Sequence, residues 1–246
     1  MKSVIETLQD HVSIREFIDK PLDDEFLLKL IDNARRSPTS SNMQAYSFIV
    51  VKDRQRLKRI AALAGNQKWI ESAGAFIAIC ADTYRLQKAT ELHGKELAKN
   101  FENFLVASVD AALVGMSLSL AAESMGLGTT MVGGIRNNPI EVAKFLGLAS
   151  GVYAVFGLGI GWPDWDRVKP QKPRLPKEAV IHHETYSTDG LEQHIKDYDD
   201  ILYEYYRSTG RNSPKAAWSG IIATRFSQGR RPHLKKELET LGFVID

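Results

Sequence analysis

The chain has 246 residues, 43% of them hydrophobic, with 32 basic against 30 acidic side chains for a formal net charge of +2. That size and apolar content allow a substantial core and exclude both a disordered chain and a minimal scaffold. The charge balance excludes a nucleic-acid or lipid surface as the main partner.

In chain order, residues 3–9 read as a short amphipathic helix, followed by His11-Val12-Ser13-Ile14-Arg15. Asp23 is placed to cap a second helix, with Asp24 and Glu25 at its positive end and Phe26, Leu27, Leu30, Ile31 and Ala34 at helical spacing. A polar turn, Ser37 to Asn42, leads to a buried strand at 47–51, and a helix at 54–63 is broken by Gly65-Asn66-Gln67. A second strand covers 75–80 and contains Cys80, the single cysteine, so no disulfide framework or thiolate zinc site is available and Cys80 reads as buried filler.

Residues 101–125 contain no proline and are rich in Ala, Leu and Met, which predicts one helix of roughly 37 Å. Its apolar residues point to nearly all sides, so it is expected to be central or shared between subunits. A membrane span is disfavoured, because Asp110 would sit near the bilayer centre. Gly126-Leu127-Gly128 then turns the chain into a strand at 129–132 that ends in Gly133-Gly134. A helix at 139–146 opens on proline and a strand covers 152–158. Residues 162–178, with Pro163, Pro170, Pro173 and Pro176, read as an arm, and helices at 191–206, 216–226 and 232–241 complete the chain. Four strands against six or more helices suggest a small mixed sheet within a helical core, completed by a second copy of the chain.

Several clusters have residue types suited to chemistry. His11 to Arg15 places a hydroxyl and a guanidinium two residues apart, and Lys172-Pro173-Arg174 places two cations on a stiff segment; together they match the charge of a phosphate. Thr39-Ser40-Ser41-Asn42 offers small donors and acceptors, Gln67 and Lys68 form another polar pair, and Gly133-Gly134 lets backbone N–H groups approach a ligand. Each of these, alone, also reads as an ordinary turn or surface segment. Gly157-Leu158-Gly159-Ile160-Gly161 is rejected as a dinucleotide fingerprint because Trp162-Pro163 follows instead of a helix. His182-His183-Glu184 is rejected as a metal site because adjacent side chains diverge.

Taken jointly, His11 to Arg15, Pro38 to Gln44, Gly65 to Lys68, Gly133 to Asn138, Gly161-Trp162-Pro163 and Lys172 to Pro176 resemble the FMN-dependent nitroreductases, in the branch of oxygen-insensitive NADPH nitroreductases and NADPH:FMN oxidoreductases. The resemblance runs through essentially the whole chain. It implies an α+β, nitroreductase-like fold with a long central helix, a single domain over 1–246 in which 162–246 is an extension, and a homodimer with FMN at the subunit interface; separately, Met1 to Glu6 lacks the charged-then-apolar pattern of a signal peptide, so the cytoplasm is the expected location. By that likeness His11, Val12, Ser13, Arg15, Lys172 and Arg174 hold the ribityl phosphate. Gln67, Lys68 and the Val132-Gly133-Gly134 backbone face the isoalloxazine, and Thr39, Ser40 and Ser41 reach the flavin of the other subunit. It also implies hydride transfer from NADPH, with NADH open, to FMN and on to nitroaromatics, quinones or free flavin in a ping-pong cycle, with no protein nucleophile. Val12 stands where family members often carry Arg. After Tyr205-Tyr206, Arg207 and Arg211 are the candidates for the NADPH 2′-phosphate. A narrow-specificity flavoenzyme of the same fold and a non-catalytic nucleotide-binding module are the alternatives.

Overall fold

The computed structural model describes residues 1–245. They form two compact units, one of Met1–Val168 with His233–Asp246 and one of Lys169–Pro232.

The first unit is built on four strands, β1 (Tyr46–Val51), β2 (Ala75–Asp82), β3 (Gly128–Val132) and β4 (Val152–Gly161), in the order β1-β2-β4-β3. Every neighbouring pair is antiparallel, so the mixed sheet expected from the sequence is corrected to an antiparallel one. The reason lies in the connections. Helix α3 (Arg54–Leu63) joins β1 to β2 and α6 (Pro139–Leu146) joins β3 to β4, each returning the chain to the end of the sheet it left. The link from β2 to β3 carries α4 (Tyr84–Glu91) and α5 (Phe101–Ser124) and does join strands of the same direction, but β4 lies between them and no parallel pair forms.

Strand β2 is buried along its whole length. Its alternation divides the core in two: Ala75, Ile77 and Ile79 pack with α5 and with α2 (Asp24–Ala34), and Phe76, Ala78 and Cys80 pack with α3 and α6. Local chemistry sets the helix ends, at Asp23 as expected. Ser3 and Glu6 form a reciprocal cap on α1 (Val4–Gln9), the Asp23 carboxylate accepts from the Phe26 N–H, and Asp53 caps α3 in the same way. Helix α4 is absent from the sequence reading because none of its residues is buried and its pattern lacks an apolar stripe.

The rejected glycine run has a structural explanation. Gly157, Gly159 and Gly161 lie on β4 at alternate positions, where Cβ atoms would come 1.9 Å from the Phe76 ring, 2.5 Å from the Trp69 ring and 2.8 Å from the Phe17 ring. The glycines make room for three aromatic side chains on one face of the strand.

Helix α5 is long and apolar enough to cross a membrane by length and composition. Here it packs on the sheet and on α2 instead, with Ala111, Val114, Leu118 and Ala122 in the core, and its Asp110 is satisfied by backbone N–H groups inside the protein.

Cys80 is fully buried, and burial, with the Asp82 charge second, pushes its thiol from 9.0 to about 12. Between those values the native chain holds a proton that the unfolded chain loses, so stability falls as pH rises, by about 1.4 kcal/mol per pH unit. Urea unfolding between pH 9 and 10 is expected to show a steeper loss for the wild type than for Cys80→Ala. Equal slopes would rule this out.

Candidate functional site

The segment 11–15 is held as a strap across the start of β3. Gly128 lacks the Cβ that would lie 2.6 Å from the Ile14 side chain, so Ile14, 2% exposed, packs directly on the strand backbone. The Ile14 N–H donates to the Thr129 carbonyl at 2.8 Å, and the Thr130 hydroxyl donates to the Ile14 carbonyl. With Ile14 fastened inward, its neighbours Ser13 and Arg15 are left exposed, while His11 and Val12 are half-buried. His11 Nδ1 lies 2.9 and 3.1 Å from the two oxygens of Glu123, near the end of α5. The same carboxylate accepts from the hydroxyls of Thr129 and Ser119, so one acid ties together helix, strand and strap.

At the far end of β3, Val132 is buried and leads into a 3-10 turn at Gly133–Asn137. A Cβ on Gly134 would sit 2.3 Å from the Ala64 carbonyl oxygen and 2.6 Å from Gln67 Nε2. Glycine at 134 is therefore required by the protein's own backbone, a closer constraint than ligand approach. At Gly133 a Cβ would meet only the Arg136 guanidinium, at 3.4 Å. The Gln67 carboxamide is oriented by donating to the Ala64 carbonyl at 2.9 Å and accepting from Trp69 Nε1 at 3.3 Å, and the neighbouring Lys68 is exposed. The structure thus brings Gln67 and Val132-Gly133-Gly134 together. The strap meets β3 at Thr129 and Thr130, about 10 Å along the strand from the glycine pair.

The polar turn before β1 has an unusual backbone. Ser41, Asn42 and Gln44 have φ of 46°, 56° and 52°, a left-handed conformation costing on the order of 1–2 kcal/mol per residue, less for Asn. Both ends of the loop are held by Asp110, whose carboxylate accepts from the Ser40 N–H at 3.0 Å and the Ala45 N–H at 3.2 Å. Thr39 is half-buried, and Ser40 and Ser41 are exposed.

Lys172, Arg174, Arg207 and Arg211 belong to the second unit. There the arm is laid on α7 (Leu191–Ser208) by two tyrosines: Tyr205 donates to the Pro170 carbonyl at 2.8 Å and Tyr198 to that of Pro173 at 2.9 Å. The spacing matches, since seven helical residues advance about 10.5 Å and three extended residues about 9–10 Å. Burial pushes both phenols up, which keeps them donors. Lys172 and Arg174 are exposed, and the Tyr206 ring lies under Lys172 at 5.6 Å and under Arg211 at 4.3 Å. Arg207 is in the last turn of α7, where it pairs with Glu204 at 2.8 Å. Burial alone would raise the Asp199 carboxyl, but the Ser219 hydroxyl and the N–H groups of Trp218 and Ser219 outweigh it and lower it; Asp199 thereby tethers the start of α8 (Ser219–Phe226) to α7.

Sequence reasoning missed Glu123 and Asp110 as supports for these segments. The available signal was a lone acid in the apolar interior of a long helix. No group of three or more His, Cys, Asp or Glu suited to a metal ion occurs among the described residues, His182-His183-Glu184 included.

This architecture defines a nitroreductase-like fold. Residues 8–162 match the nitroreductase family and residues 172–246 match the family's C-terminal domain, and the chain belongs to that family. It is 40% identical over 248 residues to an FMN reductase (NADPH) of Bacillus subtilis, with 99% of each chain covered. An oxygen-insensitive NADPH nitroreductase of Salmonella typhimurium is 36% identical, again with 99% of each chain covered. Among solved structures, NfrA2 of B. megaterium superposes with a TM-score of 0.94 at 37% identity over the whole of both chains.

The two glycines are expected to respond differently. Gly134→Ala forces the Ala64 carbonyl or Gln67 aside and is expected to cost about 1–3 kcal/mol of stability. Gly133→Ala, with space around it, is expected to cost less than about 1 kcal/mol. Thermal melting of both variants checks the order, and the reverse order would overturn this account of the turn.

Proposed function

We propose that the chain is an NADPH-dependent flavin oxidoreductase that holds FMN tightly and reduces nitroaromatics, quinones or free flavin in a ping-pong cycle. The observation that carries this reading is the geometry of β3, with a hydroxyl and a guanidinium presented at one end and a carboxamide beside a glycine backbone at the other. That order of groups fits a flavin mononucleotide, whose anionic phosphate and polar ring edge are separated by a flexible ribityl chain. The names of the relatives, an FMN reductase using NADPH and an NADPH nitroreductase, support the same chemistry.

In this reading Ser13 and Arg15 bind the phosphate together with His11 and the Val12 N–H, and Lys172 and Arg174 are the anion-binding cations that the family likeness assigns to the second unit. Glu123 orients the His11 ring. Gln67, Lys68 and the Val132-Gly133-Gly134 backbone hold the ring edge, and Thr39, Ser40 and Ser41 reach the flavin of the partner subunit. FMN, when bound, supplies a hydride acceptor for the nicotinamide and an electron donor for the second substrate. The protein's own residues position the two substrates in turn, and none serves as a nucleophile.

The active species is a cytoplasmic homodimer, and 1–246 acts as one catalytic domain. A stripe on α5 supports the dimer: Phe101, Leu105, Val109, Leu113 and Met116 follow one another at helical spacing and are each 39–48% exposed in the single chain. An apolar stripe of that length on a helix calls for a covering surface. For NADPH, Arg211 is the stronger 2′-phosphate candidate. Stacking on Tyr206 leaves the guanidinium edge available to an anion, whereas Arg207 is already paired with Glu204.

Purified protein is expected to be yellow, and Arg15→Ala to weaken FMN binding about 10- to 150-fold, the equivalent of one charge-assisted contact. A colourless wild type that FMN neither protects against melting nor makes competent to consume NADPH would overturn the assignment. Arg211→Ala is expected to raise KM for NADPH more than for NADH, with Arg207→Ala changing both little. Equal effects of Arg211→Ala on the two nucleotides would rule it out as the 2′-phosphate reader.

A further inference from the structure

Between Glu102 and Glu123, helix α5 carries a single charged residue, Asp110, and that residue is 1% exposed. Among the described residues it has no cation within ion-pair distance. Its two oxygens are divided between two backbone donors, Oδ1 taking the Ser40 N–H and Oδ2 the Ala45 N–H. Those donors stand at the two ends of the loop that contains Ser41, Asn42 and Gln44, all three left-handed without being glycine.

This arrangement explains why an acid occupies a position that otherwise favours an apolar residue. Two N–H groups converging on one side chain need two acceptor oxygens. Asparagine offers one acceptor and one donor, so its amide would face one of the N–H groups with a hydrogen of its own. Aspartate is the side chain of this size that meets both donors. The adjacent Val109 belongs to the exposed apolar stripe, so one turn of α5 carries both the loop's anchor and part of the surface assigned to the partner subunit.

We propose that Asp110 is a positioning residue for the flavin chemistry. It fixes the 39–45 loop in a strained shape that presents Thr39, Ser40 and Ser41 to the flavin across the dimer interface. This rests on the FMN reading above. Asp110 touches neither cofactor nor substrate and acts only through the two backbone bonds.

The test begins with the apo protein, in which Asp110→Asn is expected to speed hydrogen exchange at the Ser40 and Ala45 amides about tenfold or more. In the FMN-loaded dimer the same variant is expected to retain flavin within about threefold of wild-type affinity, because the phosphate contacts are untouched, yet to shift the visible flavin absorption and lower kcat about ten- to a hundredfold. Ser40→Pro supplies an independent variant should Asn at 110 not fold. It deletes one donor while respecting the backbone, since Thr39 is extended (φ −132°, ψ 150°) and Ser40 opens a 3-10 turn. It is expected to shift the spectrum further than Ser40→Ala, which removes only the hydroxyl assigned to the flavin; a shift no larger than that of Ser40→Ala counts against the proposal. Adding Asn42→Gly and Gln44→Gly to Asp110→Asn relaxes the left-handed backbone at two positions not assigned to the flavin, and is expected to restore the melting temperature but not the spectrum or kcat. Recovery of all three would reduce Asp110 to a strain compensator and overturn the proposal, as would wild-type exchange and spectrum in both Asp110→Asn and Ser40→Pro. A colourless wild type would sink the FMN reading itself, whereas a yellow wild type with unaltered variants sinks only the role of Asp110.

Discussion

The close seating of α5 on the sheet is the constraint on which the first unit depends. The helix presents Ala107, Ala111, Gly115 and Ala122 on its buried side, and a Cβ at Gly115 would lie 2.4 Å from the Phe156 ring. Small side chains let the helix axis approach the strands, so that Val114 and Leu118 interlock with Ile77, Ile79, Leu158 and Ile160. A helix set this closely behaves as a rigid bar. Two of the acids it carries, Asp110 and Glu123, are separated by about 20 Å along that bar.

Each acid reaches out to a different irregular segment. Asp110 closes the ends of the 39–45 loop, and Glu123 meets His11 together with Ser119 and Thr129. Irregular backbone is normally the least certain part of a fold, because its N–H and C=O groups lack a regular ladder to join. Here the missing partners come from the core helix and from β3, through Ile14 and Thr130. The segments assigned to flavin binding are therefore loops in sequence but take their positions from the core. In the second unit the proline-rich arm gains the same definiteness from the tyrosines of α7.

Glycine has three distinct uses in this chain, and they are easily confused in a sequence. Gly128 admits Ile14, Gly134 admits the Ala64 carbonyl and Gln67, and the alternate glycines of β4 admit aromatic rings. Gly133, next to Gly134, has more room, its nearest neighbour being the Arg136 guanidinium at 3.4 Å. A glycine pair read as an approach for a ligand is thus half a packing requirement. The Gly157 to Gly161 run, which resembles a nucleotide fingerprint, is entirely one.

Much of the fold was legible from residue order alone. Asp23 and Pro139 mark helix starts, continuous apolar runs mark β1 and β2, and unbroken Ala-, Leu- and Met-rich composition marks α5, because capping and periodicity are properties of neighbouring residues. The family was legible as well, through motifs dispersed over the whole chain. Strand direction was not, since antiparallel order depends on β4 inserting between β2 and β3, and nothing local to those strands encodes it. Nor was the surface helix α4, which has no fully buried residue and rests on the core through half-buried Leu86. Asp110 looked like an argument against a membrane, and nothing in the residue order set Glu123 apart. Their roles were decided only in the tertiary structure, because an acceptor acquires its meaning from the groups that folding brings to it, and the loop amides and His11 lie 65 to 112 residues away.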